Sequence, residues 1–350
     1  MRRAAFTDWT WGLVEATRPD LPEVIVGCPP YAGGDGWSEV SSRDVLSDVI
    51  DALGYRDGRG YVDAQAPAGS RGPVWNDLHD KCGVTAAFFK GAIPVVAFIA
   101  AETHGEAMLA HRRLWNYGRV PILIAVTEQE VLALSCNTAP NDAAPDEALL
   151  GRATVGPEVS SILDDFTRFS VESGKLHRHR GRQLNKINRV DQSLLRNLRH
   201  LRSRLLTSGV FETEIEPLLG RTIFVRYLED RGILGPKELQ SLRQPPSLAD
   251  ALAQGWDAVS KFFSAMSEHF SGDVFRPDAL PRPIPAKALA ELSHFFHGGD
   301  VETGQTALWP YDFSIIPPEF ISSIYEQLLV EQQKDNAAYY TPRHVVDLVL

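Results

Sequence analysis

The sequence predicts a mixed fold, α/β in its first part and all-helical in its second. Three observations carry that expectation. Apolar runs of strand length flank a helical segment between Ile93 and Cys136. Apolar residues recur every three or four positions from Val190 to Leu205, and a capped amphipathic helix opens at Thr341. The boundaries that follow are an α/β domain over 1–136, a linker over 137–157, a helical domain over 158–335, and the opening of a further domain over 336–350.

Each element has a local reason. Ile93 to Ala101 is an apolar run too short for a buried helix, Glu102 to Tyr117 has helical character, and Val120 to Thr127 and Glu130 to Cys136 are two further buried runs. The linker is polar and rich in turn formers: Pro140, Asn141, Asp142, Ala143, Ala144, Pro145 and Asp146. Val190, Leu194, Leu198, Leu201 and Leu205 then share one helix face, leaving Arg189, Arg196, Arg199 and Arg202 to remain solvated. Ile215, Leu218, Leu219, Ile223 and Leu228 make a second apolar face, with Arg226, Glu229, Asp230 and Arg231 available for local, structural pairing. Gly232 suits a helix C-terminus, and the Pro-rich stretch Pro277 to Pro285 separates this helix from another over Lys287 to His297. Last, Thr341 is a good N-cap and Pro342 suits the first helical position, so that Val345, Val346, Val349 and Leu350 fall on one face.

Composition narrows the class. A chain of 350 residues with 44% apolar and 23% charged residues is ordinary globular material, long enough for two cores. No apolar run reaches bilayer length, and the start, Met1-Arg2-Arg3-Ala4-Ala5-Phe6, has no secretory core, so no membrane partner is expected. Cys28, Cys82 and Cys136 are too widely spaced for a zinc pattern or a disulfide framework, which suits a reducing cytoplasm. No metal site is expected either. His177-x-His179 sits in a cation-repelling basic run, and His294 and His297 have no carboxylate or thiol cluster beside them.

The net charge of −10 hides a local excess of the other sign. Between Lys175 and Arg204 there are ten Lys/Arg, with His177, His179 and His200, against one acid, Asp191. Such a stripe can neutralise phosphates and release counterions, giving salt-dependent, largely sequence-independent affinity. Double-stranded DNA is the expected partner, with Arg189, Arg196, Arg199 and Arg202 as contacts. The alternative is a solvated face or a run paired with acidic neighbours. No aromatic residue interrupts the stripe, so base stacking is not suggested.

Three segments carry a family resemblance. The run Asn336-Ala337-Ala338-Tyr339-Tyr340-Thr341-Pro342 and the apolar helix after it resemble the motif preceding the S-adenosylmethionine fold in amino-methylating DNA methyltransferases. Upstream, Leu308-Trp309-Pro310-Tyr311-Asp312-Phe313 with Pro318 to Leu329, and Gly220 to Gly232, resemble the segments before that motif in the type I and type IIG restriction-modification enzymes. The order strand, helix, strand, strand over 93–136, with Trp115-Asn116-Tyr117-Gly118-Arg119-Val120-Pro121 within it, resembles the core of restriction-endonuclease-like domains.

The resemblance implies a restriction-endonuclease-like α/β domain, then an all-helical domain leading into a truncated Rossmann-like S-adenosylmethionine domain. It implies cofactor contacts for Tyr340, Thr341 and Pro342, where a helix N-terminus with free N–H groups can receive a carboxylate. It implies methyl transfer to adenine N6 in a restriction-modification or phage-defence system, with companion subunits as further partners. Neither a Gly-rich cofactor loop nor an Asn-Pro-Pro-Tyr segment follows Leu350, so the chain is expected to hold no catalytic residue and to be inactive alone. The alternative is a non-catalytic DNA-binding or scaffold subunit. Val24-Ile25-Val26-Gly27-Cys28-Pro29-Pro30-Tyr31 has the outline of the base-holding motif, but a thiol is a poor acceptor, and a short strand with a Pro-Pro turn is preferred. The nuclease-like domain is expected to be degenerate. Its strand Val95 to Ala101 lacks the acid-x-Lys pair that would bind metal, leaving Glu102-Thr103-His104 as a relic with Asp77 or Asp80 as a possible second carboxylate.

Overall fold

The computed structural model describes residues 41–330 apart from 66–68, 142–143, 157, 187–188, 271–272, 276–278 and 298–310. These residues lie within one unit, Val40–Leu350, and form thirteen α-helices and one open six-stranded mixed sheet. The strands are β1 (Tyr61–Asp63), β2 (Ala86–Lys90), β3 (Ile93–Ala100), β4 (Ile122–Val126), β5 (Glu130–Ser135) and β6 (Leu149–Thr154), side by side in chain order. Only β3 and β4 run parallel, and helix α3 (His104–Tyr117) makes the crossover between them. β2 and β3 form a hairpin in which Lys90 pairs with Ile93, and Gly91 supplies the positive φ of 66° that so tight a turn requires.

The sheet is buried on both sides because its strands alternate between two apolar layers. Val96, Phe98, Ile122, Ile124 and Val126 pack with α1 (Ser42–Ala52) through Val45, Leu46, Val49 and Ile50. Ala97, Leu123, Ala125, Leu132 and Leu134 pack with α2 (Gly72–Cys82) and α3 through Trp75, Leu78, Ala107, Ala110 and Leu114. A strand buried on both faces reads as a continuous apolar run, which is why β3, β4 and β5 lie within two residues of their expected positions. Between Tyr31 and Ile93 the pattern assigns no element, yet α1, β1, α2 and β2 are present.

The expected linker is a correction. Residues 149–154 form β6, antiparallel to β5, and extend the sheet. The helices that follow, α4 (Val159–Ile162), α5 (Arg168–Glu172) and α6 (Lys175–Arg180), also belong beside the sheet, with Val159, Leu163, Phe166 and Leu176 in its α1-side core. The Tyr55 hydroxyl donates to the Phe166 carbonyl at 2.7 Å, and Arg168 N–H donates to the Leu53 carbonyl at 3.0 Å. Pro145 and Asp146 open a short 3-10 helix, Pro145–Ala148, and the edge strand Leu-Leu-Gly-Arg-Ala-Thr is too short and mixed to show a period.

A third core lies among the later helices: α7 (Val190–Thr207), α8 (Glu212–Asp230), α9 (Pro236–Ser241), α10 (Leu248–Gln254), α11 (Trp256–His269), α12 (Ala286–Phe296) and α13 (Pro318–Val330). The expected leucines of α7 and α8 are buried in it, and so is Trp115 of α3. No helix among the described residues is long and apolar enough to cross a membrane.

Candidate functional site

The nuclease-like site was expected beside β3, and α3 decides what is possible there. Thr103 caps the helix, its hydroxyl accepting from Glu106 N–H at 3.2 Å, while the Glu106 carboxylate accepts from Glu102 N–H at 2.9 Å. Across from this start, the turn between β4 and β5 is closed by Thr127, whose hydroxyl accepts from Glu130 N–H at 3.0 Å. The two turns face each other at the C-terminal ends of the parallel strands, where open α/β sheets place ligands. Between them lies a cleft of about 500 Å³ lined by Glu102, Thr103, His104, Thr127, Glu128, Gln129, Glu130 and Thr154.

His104 Nδ1 stands 3.1 Å from Glu130 Oε1, and Arg152 Nε stands 3.3 Å from the other oxygen of that carboxylate. Glu130 was not anticipated as the partner of His104, because the two are brought together only by the β3–α3–β4 crossover. Asp77 and Asp80 do not join them. Asp77 pairs with Lys81 on α2 at 2.7 Å and acts electrostatically on Cys82 and Tyr117, at the C-terminal end of α3. The helix is fourteen residues long with His104 at its start, which sets that end about 20 Å away along the axis. Val96, Ala97 and Phe98 are fully buried, so the cleft is an exposed acidic pocket beside an apolar strand. No group of three or more His, Cys, Asp or Glu able to hold a metal is found among the described residues. Glu102 and Glu128 are exposed and oppose phosphate entry, while Glu130 is paired with Arg152.

The basic stripe is sorted by its neighbours. Arg202 reaches Glu212 at 2.9 Å and Glu216 at 3.3 Å, Arg204 holds Glu291 with two bonds at 2.7 and 3.1 Å, and Arg180 reaches Asp165 at 3.0 Å. Arg189 pairs with Asp191 at 3.2 Å and covers the Phe320 ring. Of the expected DNA contacts, Arg189 and Arg202 are thus engaged with carboxylates inside the molecule, whereas Arg196 and Arg199 are exposed on α7. Three further cations of the stripe, Arg178, Arg182 and Lys186, are exposed.

The described parts of the resembling segments meet at the C-terminal end of α3. Asn116 Oδ1 accepts from Asp312 N–H at 2.8 Å, and the Trp115 and Tyr311 rings lie 5.6 Å apart. Asn197 of α7 donates to the Tyr311 hydroxyl at 2.8 Å. From α8, Asp230 accepts from Phe313 N–H at 3.1 Å, and Arg231, just past it, donates to the carbonyls of Phe313 and Ile316, each at 3.1 Å. Arg226 pairs with Asp230 at 2.7 Å, as local pairing predicted, but Asp230 and Arg231 mainly clasp a segment some eighty residues away. Burial raises the Asp230 carboxyl above its ordinary value, opposed by Arg226 and the Phe313 amide. Arg119 pairs with Glu319 on α13.

Tyr340, Thr341 and Pro342, the expected cofactor contacts, lie outside the described residues, as does Val24 to Tyr31. Comparison with known proteins adds no assignment, since no family model, no curated protein and no solved structure matches the chain.

Proposed function

We propose that the chain is the N-terminal portion of a cytoplasmic DNA methyltransferase of a restriction-modification or phage-defence system, one that transfers methyl from S-adenosylmethionine to adenine N6. The observation that carries this reading is the meeting of Gly220–Gly232, Tyr311–Phe313 and α13 in one set of contacts. Segments that resemble one family in sequence order here act as one physical unit, directly ahead of Tyr339-Tyr340-Thr341-Pro342. In that reading the target adenine is flipped out of the duplex and its amino nitrogen attacks the cofactor methyl group. Tyr340, Thr341 and Pro342 receive part of the cofactor.

The sheet half is then a restriction-endonuclease-like domain that has lost cleavage. Linear strand order with a helical crossover between two parallel central strands supports the fold, and an uncharged β3 beside an acidic cleft supports the loss. The second reading, a non-catalytic DNA-binding or scaffold subunit, is favoured by the seam between the halves, where Asn116, Asp230 and Arg231 all bond the 312–316 segment. Calorimetric titration of S-adenosylmethionine separates the two, using this chain and the product of its whole reading frame. Binding by the longer product that Tyr340→Ala weakens at least tenfold supports the enzyme. A longer product that binds no cofactor leaves the scaffold reading.

A further inference from the structure

We infer that Arg178, Arg182 and Lys186 make a polyanion-binding surface of this protein, and that its ligand is the phosphate backbone of duplex nucleic acid. The inference rests on the DNA-binding part of the reading above and assigns contacts within it. Its basis is a division of labour inside one short run. Lys175 pairs with Asp164, while His179 and Arg180 both reach Asp165, at 2.7 and 3.0 Å. Lys175, His179 and Arg180 hold the run down. Arg178, Arg182 and Lys186 recur every four residues, are exposed, and make no ion pair among the described residues. No acid occurs from Ser173 to Val190.

The run is also fixed at its backbone. Ser135 Oγ donates to the Gln183 carbonyl at 3.1 Å, and Asn137 Nδ2 donates to the Leu184 carbonyl at 2.9 Å. Both donors are buried at the end of β5, and Leu176 is buried beneath α6. Two buried polar side chains thus tie the backbone between Arg182 and Lys186 to the end of the sheet. Ion pairs already made inside the molecule offer no net charge to a ligand, which removes Arg180, Arg189, Arg202 and Arg204 from the surface. The absence of Phe, Tyr and Trp between Lys175 and Arg204 removes base stacking, so the row suits a regular phosphate backbone better than an unstacked single strand.

The test is fluorescence anisotropy of a labelled 20-base-pair duplex against the full chain over a salt series. It compares the wild type, the triple variant R178Q/R182Q/K186Q, the charge-keeping variant R178K/R182K, and Arg204→Gln. Circular dichroism melts verify folding. The inference expects wild-type binding to weaken with salt, and the triple variant to bind at least ~10-fold more weakly with a log–log salt slope reduced by about 3, near one unit per phosphate contact. The charge-keeping variant and Arg204→Gln should stay within about twofold of wild type. Wild-type binding that the triple variant retains with an unchanged slope overturns the row while leaving DNA binding intact. A wild-type chain that binds no duplex at low salt overturns the DNA reading itself. Tighter capture by vesicles of anionic lipid than by duplex overturns the choice of ligand.

Discussion

The two ends of α3 are built differently. At the C-terminal end, Trp115, Asn116, Gly118 and Arg119 each meet a partner from the helical half: Tyr311, Asp312, Phe320 and Glu319. At the N-terminal end, His104 and Glu130 meet at 3.1 Å in the lining of an open cleft, with side chains 43% and 26% exposed. One end is a joint in which Trp115, Asn116 and Tyr311 are buried or partnered across the seam. The other is a wet surface whose charges water can satisfy without any partner. Sequence order placed the relic of a nuclease site at the second end, but the close geometric constraint is at the first.

Gly118 is the sharpest way to break the joint. Its φ of 68° is left-handed, and a Cβ there would lie 2.6 Å from Phe320 Cε2 and 2.9 Å from Val190 Cγ1. Left-handed backbone costs a non-glycine residue about 1–2 kcal/mol and overpacking typically about 1–3 more, so Gly118→Ala should destabilise by roughly 2–5 kcal/mol. Urea denaturation measures this. A loss below about 1 kcal/mol would mean that the seam yields and that the halves are loosely joined.

Arg231 comes next. It donates to two carbonyls and lies over the Tyr227 ring at 4.6 Å. Charge-assisted hydrogen bonds contribute about 1.5–3 kcal/mol, so Arg231→Ala should cost roughly 2 kcal/mol. Hydrogen exchange should rise first in Phe313 and its neighbours. Exchange that rises uniformly over the whole chain would instead mean that the two halves unfold together.

Midway along α3, His111 is buried with its Nε2 2.9 Å from the Ser135 carbonyl. Burial holds its pKa below the ordinary value, with the Ser135 carbonyl opposing in part. The unfolded chain therefore takes up a proton near pH 6.5 that the folded chain resists, so the contribution to stability is complete above about 6.5 and is lost as pH falls. The slope approaches about 1.4 kcal/mol per pH unit for one proton. Denaturation midpoints from pH 7.5 to 5.5 should fall in the wild type and flatten in His111→Gln. Equal slopes in both would show that other groups set the acid limit.

What was legible in the sequence follows the same physics. β3, β4 and β5 could be read because strands buried on both faces leave unbroken apolar runs, and α7 because one face alone is buried. β6 could not be read, since an edge strand needs only Leu150 and Ala153 inside. The stripe was legible as a charge excess, but not which cations carry it, because Asp165, Glu212, Glu216 and Glu291 reach it only through the tertiary fold. Likewise Trp115 to Arg119 gives no local sign of being a joint, because its partners lie some two hundred residues later.

The smallest expected effect belongs to the open end of α3 and sharpens the comparison most. Exposed ion pairs are worth about 0.2–1 kcal/mol, and less at high salt, because water already solvates both charges. His104→Ala or Glu130→Gln should therefore change stability by less than about 1 kcal/mol, with the difference vanishing near 1 M salt. If the cleft only fills space between two turns, the two single losses and the double loss should agree within that range. A coupling energy above about 2 kcal/mol in the double-mutant cycle would mean that the pair is held as tightly as the joint. The cleft would then be a preorganised site at the position where α/β sheets bind ligands, and the inactive reading of the sheet half would have to be given up.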